Sequence, residues 1–437
     1  MRLKTWAALA AALMLPLLNG CGDENAQKGD VRIINATFEY ATLDLYTQAS
    51  DGSNDLVVSG TAAGAASPYA EIDKGTYTFN IKSGTGAGNA ASTTGTISKT
   101  DHYSIVTYLT GGVAKAQFLS DEETHPASGN AKLRIFNAAS SDVPSVDVYL
   151  TTNACTALTV TDTAFAAAVT TLQSTYSQVT ATAAGTPWNV CVFAAGDRST
   201  LLLDIPTLKL KDQEIATLIL THTLGGVLLS GAVLDQQGAI TPYVSAISRV
   251  RIAADADSST TGLVTVTLNN AAVATLAPSP SVNSYSTLPS GALTASVTID
   301  GVTTNGFTLP AAVAGNDYTL LVTGPSNGPT LTLITDDNTP STITAQPVKA
   351  RIINGVNGAT ATVSATIDNR TVGSAAFKIA STYVTIPATT GTSTVLPSIT
   401  TLPATLVNQS FTSGGVYTVF IWGNAGGPPK LAVTQDR

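Results

Sequence analysis

Short runs of alternating apolar and polar residues recur along most of this sequence. An early run extends from Leu43 to Tyr46, and comparable runs begin at Val146, Val264 and Val363. A period of two with many β-branched residues is typical of strands that bury one face. The pattern therefore predicts an all-β protein built from many short strands.

An opening segment with a shared pattern precedes each of these strands. It places an arginine among apolar residues, as in the segment from Val31 to Ala36. The four arginines are 102, 117 and 100 residues apart, so the period has the size of a domain. They are Arg32, Arg134, Arg251 and Arg351.

Each repeat continues with two further landmarks. A tyrosine is followed three residues later by an apolar residue and then by glycine, and two strands with a turn between them end the repeat. The tyrosines are Tyr69, Tyr176, Tyr285 and Tyr383. Because the landmarks keep one order in all copies, we predict four tandem immunoglobulin-like antiparallel β-sandwich domains over 31–128, 129–246, 247–346 and 347–437.

The first twenty residues have the features of an export signal. Arg2 and Lys4 are followed by an apolar stretch that ends at Leu18, which is too short to span a membrane. The residues up to Cys21 resemble the bacterial lipobox, which implies a signal peptide over 1–20 and acyl chains, palmitate among them, on Cys21. Residues 21–30 are predicted to be a flexible tether. The alternative is an ordinary secretory signal with a chance cysteine.

Charge and location restrict the partners. The net charge is -8 and only 11% of the residues are charged, so the chain lacks the basic surface that nucleic acid requires. We expect a protein lipid-anchored to a bacterial membrane in the cell envelope, with the outer membrane, facing periplasm or surface, as the predicted place. The expected partners are that membrane and envelope proteins or glycans.

Cys155 and Cys191 are the remaining cysteines, and both lie in the second repeat. A pair of cysteines in an oxidising compartment predicts a disulfide. Alternation in the strand over 188–192 places Cys191 on the face opposite Val190, so the bond should cross the outside of the sandwich. A metal or redox site is the alternative, but the spacing and the missing nearby histidines disfavour it.

The second repeat resembles a known family. The residues from Leu133 to Tyr149, which contain a serine-rich turn and a Val-Asp-Val-Tyr strand, are similar to the opening of the bacterial extracytoplasmic domain of unknown function 4397. The element with Tyr176, Val179 and Gly185 is similar to that family too. The likeness covers all four repeats and fades in the third and fourth. It implies a fold and a compartment, and it supplies no catalytic residue.

Three features of the sequence resemble chemical sites. Ser326 lies in a G-x-S-x-G string at 324–328, but that nucleophile motif needs a helix after it, whereas strands are predicted on both sides. We therefore predict a hairpin turn there. The glycine-rich segment 84–88 is predicted to be a flexible loop and not a phosphate-binding loop. The histidines, which lack metal-ligand spacing, are His102, His125 and His222.

Acidic residues gather where the repeats meet. They are Asp121, Glu122, Glu123, Asp235, Asp255, Asp257, Asp336 and Asp337. Calcium between tandem sandwiches would use oxygen ligands of this kind, but a solvated linker is the favoured interpretation. The alanine-rich segment 156–175 is compatible with a short helix or an edge strand.

Two functional classes follow from these patterns. The first is a non-catalytic structural, adhesive or binding module of the envelope, with separate sandwiches in an extended array. The alternative is an accessory or enzymatic subunit in envelope glycan processing, which would need paired carboxylates in a cleft. The first is favoured, with no enzyme activity, no catalytic residue, no metal site and no cofactor expected.

Overall fold

The computed structural model describes residues 27–37, 39–48, 52–84, 88–110, 113–140, 143–173, 175–181, 187–223, 226–257, 262–341, 343, 345–398 and 407–437. The predicted signal peptide, Cys21 and most of the predicted tether lie outside these ranges. Within them the chain consists of strands, turns and a short 3-10 helix, which confirms the all-β fold class. No helix in the described part is long and apolar enough to cross a membrane.

The first sandwich contains two four-stranded sheets with the orders β4-β1-β7-β8 and β3-β2-β5-β6. Its core lies between them and includes Val31, Ile33, Leu45, Phe79 and Ile81. The first strand begins at Lys28, so the last three residues of the predicted tether are part of a sheet. The strands are β1 Lys28–Asn35, β2 Thr42–Gln48, β3 Asn54–Ala62, β4 Ala70–Asp73, β5 Gly75–Lys82, β6 Asn89–Ile97, β7 His102–Thr110 and β8 Val113–Ser120.

The second sandwich has sheets of the order β12-β9-β15-β16-β17 and β11-β10-β13-β14. The alanine-rich segment contains both of the predicted alternatives, because the 3-10 helix Cys155–Ala157 overlaps its start and the edge strand β11 lies within it. The strands are β9 Asn130–Asn137, β10 Val146–Thr151, β11 Ala166–Val169, β12 Ser177–Thr180, β13 Trp188–Ala194, β14 Leu201–Leu208, β15 Ile215–His222, β16 Leu229–Asp235 and β17 Ile240–Tyr243.

The third sandwich pairs the sheet β21-β18-β25-β26, where β22 also pairs with β18, with the sheet β20-β19-β23-β24. Strand β19 shows the alternation plainly, because Val264, Val266 and Leu268 are buried while the threonines between them are partly exposed. The strands are β18 Ile247–Asp257, β19 Val264–Leu268, β20 Ala271–Ala277, β21 Ser281–Val282, β22 Ser286–Pro289, β23 Gly291–Ile299, β24 Val302–Ala312, β25 Asp317–Pro325 and β26 Thr330–Asp336.

The fourth sandwich has the sheet orders β30-β27-β33-β34 and β29-β28-β31-β32. Val363, Ala365 and Ile367 of one sheet meet Ile352 and Val419 of the other in its core. The strands are β27 Val348–Asn354, β28 Val363–Ile367, β29 Arg370–Ala375, β30 Val384–Ile386, β31 Ser393–Ser398, β32 Val407–Gln409, β33 Val416–Trp422 and β34 Lys430–Gln435.

One sheet of every sandwich departs from the antiparallel expectation. The opening strand runs parallel to the first strand of the closing hairpin, in the pairs β1 with β7, β9 with β15, β18 with β25 and β27 with β33. Parallel neighbours need a long crossover connection, and here the intervening strands of the repeat provide it. The sandwiches are therefore mixed rather than purely antiparallel.

The chain divides into two compact units. Of the described residues, those from 27 to 125 and 234–240 form one unit, and those within 126–233 and 241–437 form the other. The segment 234–240 holds the turn between β16 and β17 of the second sandwich. Boundaries at 129, 247 and 347 stay a prediction from the repeats.

Candidate functional site

The landmark arginine lies on the face of the opening strand that is turned away from the core. In β1, Val31 and Ile33 are fully buried between the two sheets, so alternation places Arg32 on the opposite face. Arg32 is nevertheless buried, with only 2% of its surface exposed. Burial of a guanidinium costs folding free energy unless its charge is paired and its N–H groups are hydrogen-bonded. The groups that contact Arg32 therefore indicate what this position does.

The parallel strand pairing provides the first partner. Arg251 lies opposite Thr319 in the register of β18 and β25, and its Nε donates a hydrogen bond to Thr319 Oγ1 at 2.9 Å. The same relationship recurs in the other three sandwiches. The pairs are Arg32 with Ser104 at 2.8 Å, Arg134 with Thr217 at 2.9 Å and Arg351 with Thr418 at 3.3 Å.

The tyrosine landmark covers each guanidinium with its ring. The guanidinium carbon lies between 4.4 and 4.7 Å from the ring centroid in all four sandwiches. A cation over an aromatic face contributes about 0.5 to 2 kcal/mol, most when water is excluded. The pairs are Arg32 with Tyr69, Arg134 with Tyr176, Arg251 with Tyr285 and Arg351 with Tyr383.

A carboxylate at the end of the last strand completes the cluster in the first and third sandwiches. Asp336 Oδ2 accepts hydrogen bonds from Tyr285 OH at 2.6 Å and from Thr319 Oγ1 at 2.7 Å. In the first sandwich Asp121 accepts from Tyr69 OH at 2.6 Å in the same way. Burial and the charge of Asp336 raise the pKa of Tyr285 well above its usual value, so the phenol remains a hydrogen-bond donor.

In the first compact unit, the turn between β16 and β17 contacts this cluster. Arg32 Nη1 donates to the carbonyl of Gly238, and Nη2 donates to the carbonyl of Asp235 at 3.2 Å. The side chain of Gln236 exchanges two hydrogen bonds with the backbone of Glu123, at 3.0 and 2.8 Å. The arginine of the first sandwich therefore binds the segment 234–240 of its own compact unit.

In the second unit, the clusters of the third and fourth sandwiches are paired reciprocally. Arg251 forms a bidentate ion pair with Asp436 of the fourth sandwich, with Nη2 and Oδ2 at 3.0 Å. Arg351 of the fourth sandwich donates from Nη2 to Asp336 Oδ1 and from Nη1 to the carbonyl of Thr335 at 3.1 Å. Each sandwich thus supplies the carboxylate for the arginine of the other.

Apolar side chains surround the paired charges. Ala253 and Leu321 of the third sandwich form one buried cluster with Ile353, Phe420 and Trp422 of the fourth. The rings of Phe420 and Trp422 are stacked at a centroid distance of 5.0 Å. The two sandwiches share a buried face, so the expectation of separate sandwiches in series is wrong for this pair.

The electrostatics favour a permanently charged cluster. Burial lowers the pKa of Arg251, but the charges of Asp436 and Asp336 outweigh burial and raise that pKa above its usual value. A buried ion pair contributes little more stability than well-packed apolar residues in its place would. Removal of one partner, however, leaves the other charge buried without a counter-ion. The clusters therefore fix which surfaces meet more than they add stability.

Sequence reasoning misses a second basic residue, two positions before the landmark arginine. Arg249 forms a two-pronged pair with Asp317, with Nε and Oδ1 at 2.8 Å and Nη2 and Oδ2 at 2.5 Å. Lys349 holds the same position in the fourth repeat and pairs with Asp337 at 2.7 Å. The recurrence of a basic residue at this place in both repeats is the signal that identifies it.

The favoured interpretation of the acidic residues as solvated linkers is wrong for three of them. Asp121, Asp336 and Asp255 are only 2%, 1% and 6% exposed. Asp255 accepts a hydrogen bond from the backbone nitrogen of Gly423 at 2.9 Å. In the described ranges no group of three or more His, Cys, Asp and Glu side chains is placed to hold a metal ion.

The other candidate sites are spread over the fold. Ser326 lies in the turn between β25 and β26, which are paired antiparallel, so the predicted hairpin is confirmed. The glycine-rich segment joins β5 to β6, and its residues 85–87 lie outside the described ranges. His102 opens β7 beside Glu122, at 2.8 Å, whereas His125 follows β8 and His222 ends β15.

The predicted disulfide between Cys155 and Cys191 is confirmed. Val190 belongs to the core between the sheets, whereas Cys191 belongs to a separate cluster on the outer face of β13. Leu228 and Ile247 pack in that outer cluster with the two cysteines. The bond therefore crosses the outside of the sheet, as alternation predicts, but it is covered rather than exposed to solvent.

Among solved structures, three chains are similar in part. A candidate cell adhesion protein from Bacteroides uniformis has 13% identity and a TM-score of 0.20, over 48% of this chain and 99% of that one. The TIE protein of Bacillus anthracis has 12% identity and a TM-score of 0.15, over 91% and 67%. The pneumococcal glycogen-degrading virulence factor SpuA has 9% identity and a TM-score of 0.18, over 88% and 38%. Similarities this weak support no conclusion about function.

No curated protein matches the sequence. Residues 29–149 match the family described as "Domain of unknown function (DUF4397)". The matched residues include the first sandwich and the opening strands β9 and β10 of the second. The resemblance to the family of domain of unknown function 4397 is thereby confirmed for residues 29–149.

Proposed function

We propose that this protein is a membrane-anchored lipoprotein of the cell envelope and acts as a non-catalytic binding or adhesive module. The observation that carries the proposal is the reciprocal pairing of Arg251 with Asp436 and of Arg351 with Asp336. The charged groups buried here hold sandwiches to one another. Two sandwiches fixed to each other in this way are suited to presenting a surface.

The anchor in this proposal is Cys21. Strand β1 begins at Lys28, so six residues separate the cysteine from the first sheet. A fully extended chain spans at most about 3.6 Å per residue, which gives a tether of roughly 20 Å. The first sandwich would then lie close to the membrane surface.

The glycan-processing alternative needs two carboxyl groups that face each other in an accessible cleft. The structure brings Asp336 and Asp436 together around Arg251. These carboxylates are 1% and 8% exposed, and each is paired with an arginine. Buried, neutralised carboxylates are suited to assembly rather than to proton transfer, which supports the module.

Expression of the full chain in a bacterial host tests the anchor. Intact-mass analysis of the membrane fraction should show a chain that starts at Cys21 and carries acyl mass, and Cys21→Ser should leave the protein unprocessed or released. A wild-type chain without acyl groups, recovered in the soluble fraction, would refute the anchor.

Crosslinking in the intact envelope tests the module. Wild-type protein should crosslink to an envelope component and should hydrolyse no envelope polymer, and Ser326→Ala should behave identically because Ser326 lies in a hairpin turn. Loss of a cellular phenotype in a folded Ser326→Ala variant would favour the enzyme instead.

A further inference from the structure

The outer face of the sheet β3-β2-β5-β6 in the first sandwich carries a row of amide side chains. Asn80 Nδ2 donates to Asn54 Oδ1 at 2.8 Å and lies 3.4 Å from Gln48 Oε1. Asn89 Nδ2 donates to Asn80 Oδ1 at 2.8 Å. The four amides belong to four different strands, so the row crosses the whole width of the sheet.

The central member of the row is rigid. Asn80 is 3% exposed, and both atoms of its amide group take part in the network. Gln48 is partly exposed, and Asn54 and Asn89 are exposed. Gln48 Nε2, Asn54 Nδ2 and Asn89 Oδ1 are not used in this network and are available to a ligand. Groups held in place before binding lose less entropy when they bind.

An aromatic ring lies directly beside the row. Tyr46 is opposite Asn80 in the register of β2 and β5 and is partly exposed. Lys82 Nζ lies 4.5 Å from the centroid of the Tyr46 ring, on the same face. A tyrosine combines an apolar ring face with a polar hydroxyl. Lys82 covers one side of the ring, so the sheet face offers the other side for stacking, next to fixed donors and acceptors.

The equivalent faces of two other sandwiches differ. In the third sandwich the hydroxyls pair with each other, as in Thr267 with Ser296 at 2.6 Å and Thr298 with Thr303 at 2.8 Å. In the second sandwich the cluster around the disulfide covers β13. The row of amides beside a partly exposed ring is thus not shared by the second and third sandwiches.

We propose that this face of the first sandwich binds a neutral polysaccharide, an inference that rests on the proposed role as a binding module. Sugar hydroxyls both donate and accept hydrogen bonds, and so do amides, while the hydrocarbon face of a sugar ring matches the Tyr46 ring. Protein interfaces have an apolar core, whereas this face has one exposed apolar side chain, Leu56 opposite Tyr46, and a buried amide, Asn80, at its centre. Lys82 is the one cation among these residues, and a single positive charge is too little to bind a polyanion.

Affinity electrophoresis of the full mature chain tests the proposal. The gels would contain a neutral glucan, mannan or galactan, or a polyuronate as the charged comparison. At least one neutral polymer should retard the wild-type chain, and added salt should not abolish the retardation because no ion pair is involved. Retardation by the polyuronate alone, or by no polymer, would overturn the proposal.

Matched variants localise the binding. Tyr46→Ala should weaken retention at least about tenfold, a difference that corresponds to about 1.4 kcal/mol. Gln48→Glu keeps the oxygen that accepts from Asn80 but removes the outward N–H donor. This variant should weaken retention less than Tyr46→Ala does. Thr267→Ala, on the matching face of the third sandwich, is the control and should bind like the wild type, with melting curves confirming that each variant is folded. Wild-type binding by a folded Tyr46→Ala variant would refute the site.

The two proposals fail separately. A chain that is acylated at Cys21 and crosslinks to an envelope protein, but binds no neutral polymer, loses only the polysaccharide site. A chain that cleaves the polymer it binds contradicts the non-catalytic module and leaves the binding face in place.

Discussion

Arg251 and Asp436 lie in different sandwiches and form a bidentate ion pair that is almost completely excluded from water. The reciprocal pair of Arg351 and Asp336 has the same construction. Since each arginine also contacts a tyrosine and a threonine of its own sandwich, the pairs connect two complete clusters. This relationship leads to the first two predictions.

Arg251→Ala should destabilise the second compact unit by about 3 to 5 kcal/mol, because it leaves the carboxylate of Asp436 buried without its cation. Arg370→Ala is the control, since Arg370 is exposed and should change stability by less than about 0.5 kcal/mol. Chemical denaturation provides the measurement. In the double variant with Asp436→Ala the two effects should not add, and simple additivity would show that the residues are not coupled.

Limited proteolysis should cleave near residue 347, where the repeats predict a boundary. Because Leu321 and Phe420 share one buried cluster across the two sandwiches, the fragments on either side of the cut should remain associated. Size-exclusion chromatography after cleavage, followed by mass spectrometry of the peak, measures this. Two fragments that elute separately under native conditions would contradict the shared face.

Alkaline pH should destabilise the clusters. The pKa values of Tyr69, Tyr285 and Tyr383 are raised above the usual 10.0, chiefly by burial. A raised pKa in the folded state means that the stability is complete below about pH 10 and is lost as the pH rises above it, because only the unfolded chain then ionises freely. Melting temperatures measured across this range should fall steeply, and Tyr285→Phe should make the decline shallower. An identical pH dependence in both proteins would refute the assignment.

Reduction of Cys155 and Cys191 should lower the stability of the second compact unit. The cysteines are 36 residues apart, and a loop of this size corresponds to about 4 kcal/mol in the chain-entropy model. Because Ile247, the first residue of β18, packs in the same cluster, the loss should extend to the start of the third sandwich. Calorimetry of the Cys155→Ala and Cys191→Ala double variant measures it. An unchanged melting profile would contradict a stabilising bond.

The sequence predicts the local structure of this protein better than its contacts between sandwiches. The alternation over Val264 to Leu268 is enough to locate β19, and the recurrence of Arg251 marks the same position in every repeat. Alternation also places this arginine on the outer face. Whether that face meets water or another sheet depends on Asp436, which is 185 residues away in another sandwich.

The acidic residues show the same limit. Asp336 and Asp337 are adjacent in the sequence, yet Asp336 is buried against Arg351 while Asp337 is half-exposed beside Lys349. Their composition is typical of a solvated linker, and that interpretation fails because burial at a repeat junction is decided by the neighbouring sandwich. The parallel pairing of β18 with β25 is likewise a property of topology rather than of residue pattern.

The separation of 185 residues also has a consequence for biogenesis. A chain synthesised from its N-terminus delivers Arg251 long before Asp436. Until the fourth sandwich has formed, the third has an unmatched guanidinium and an uncovered apolar face at Ala253 and Leu321. During that interval the face is open to wrong partners, so the rate at which the fourth sandwich folds should govern the yield of correctly paired protein.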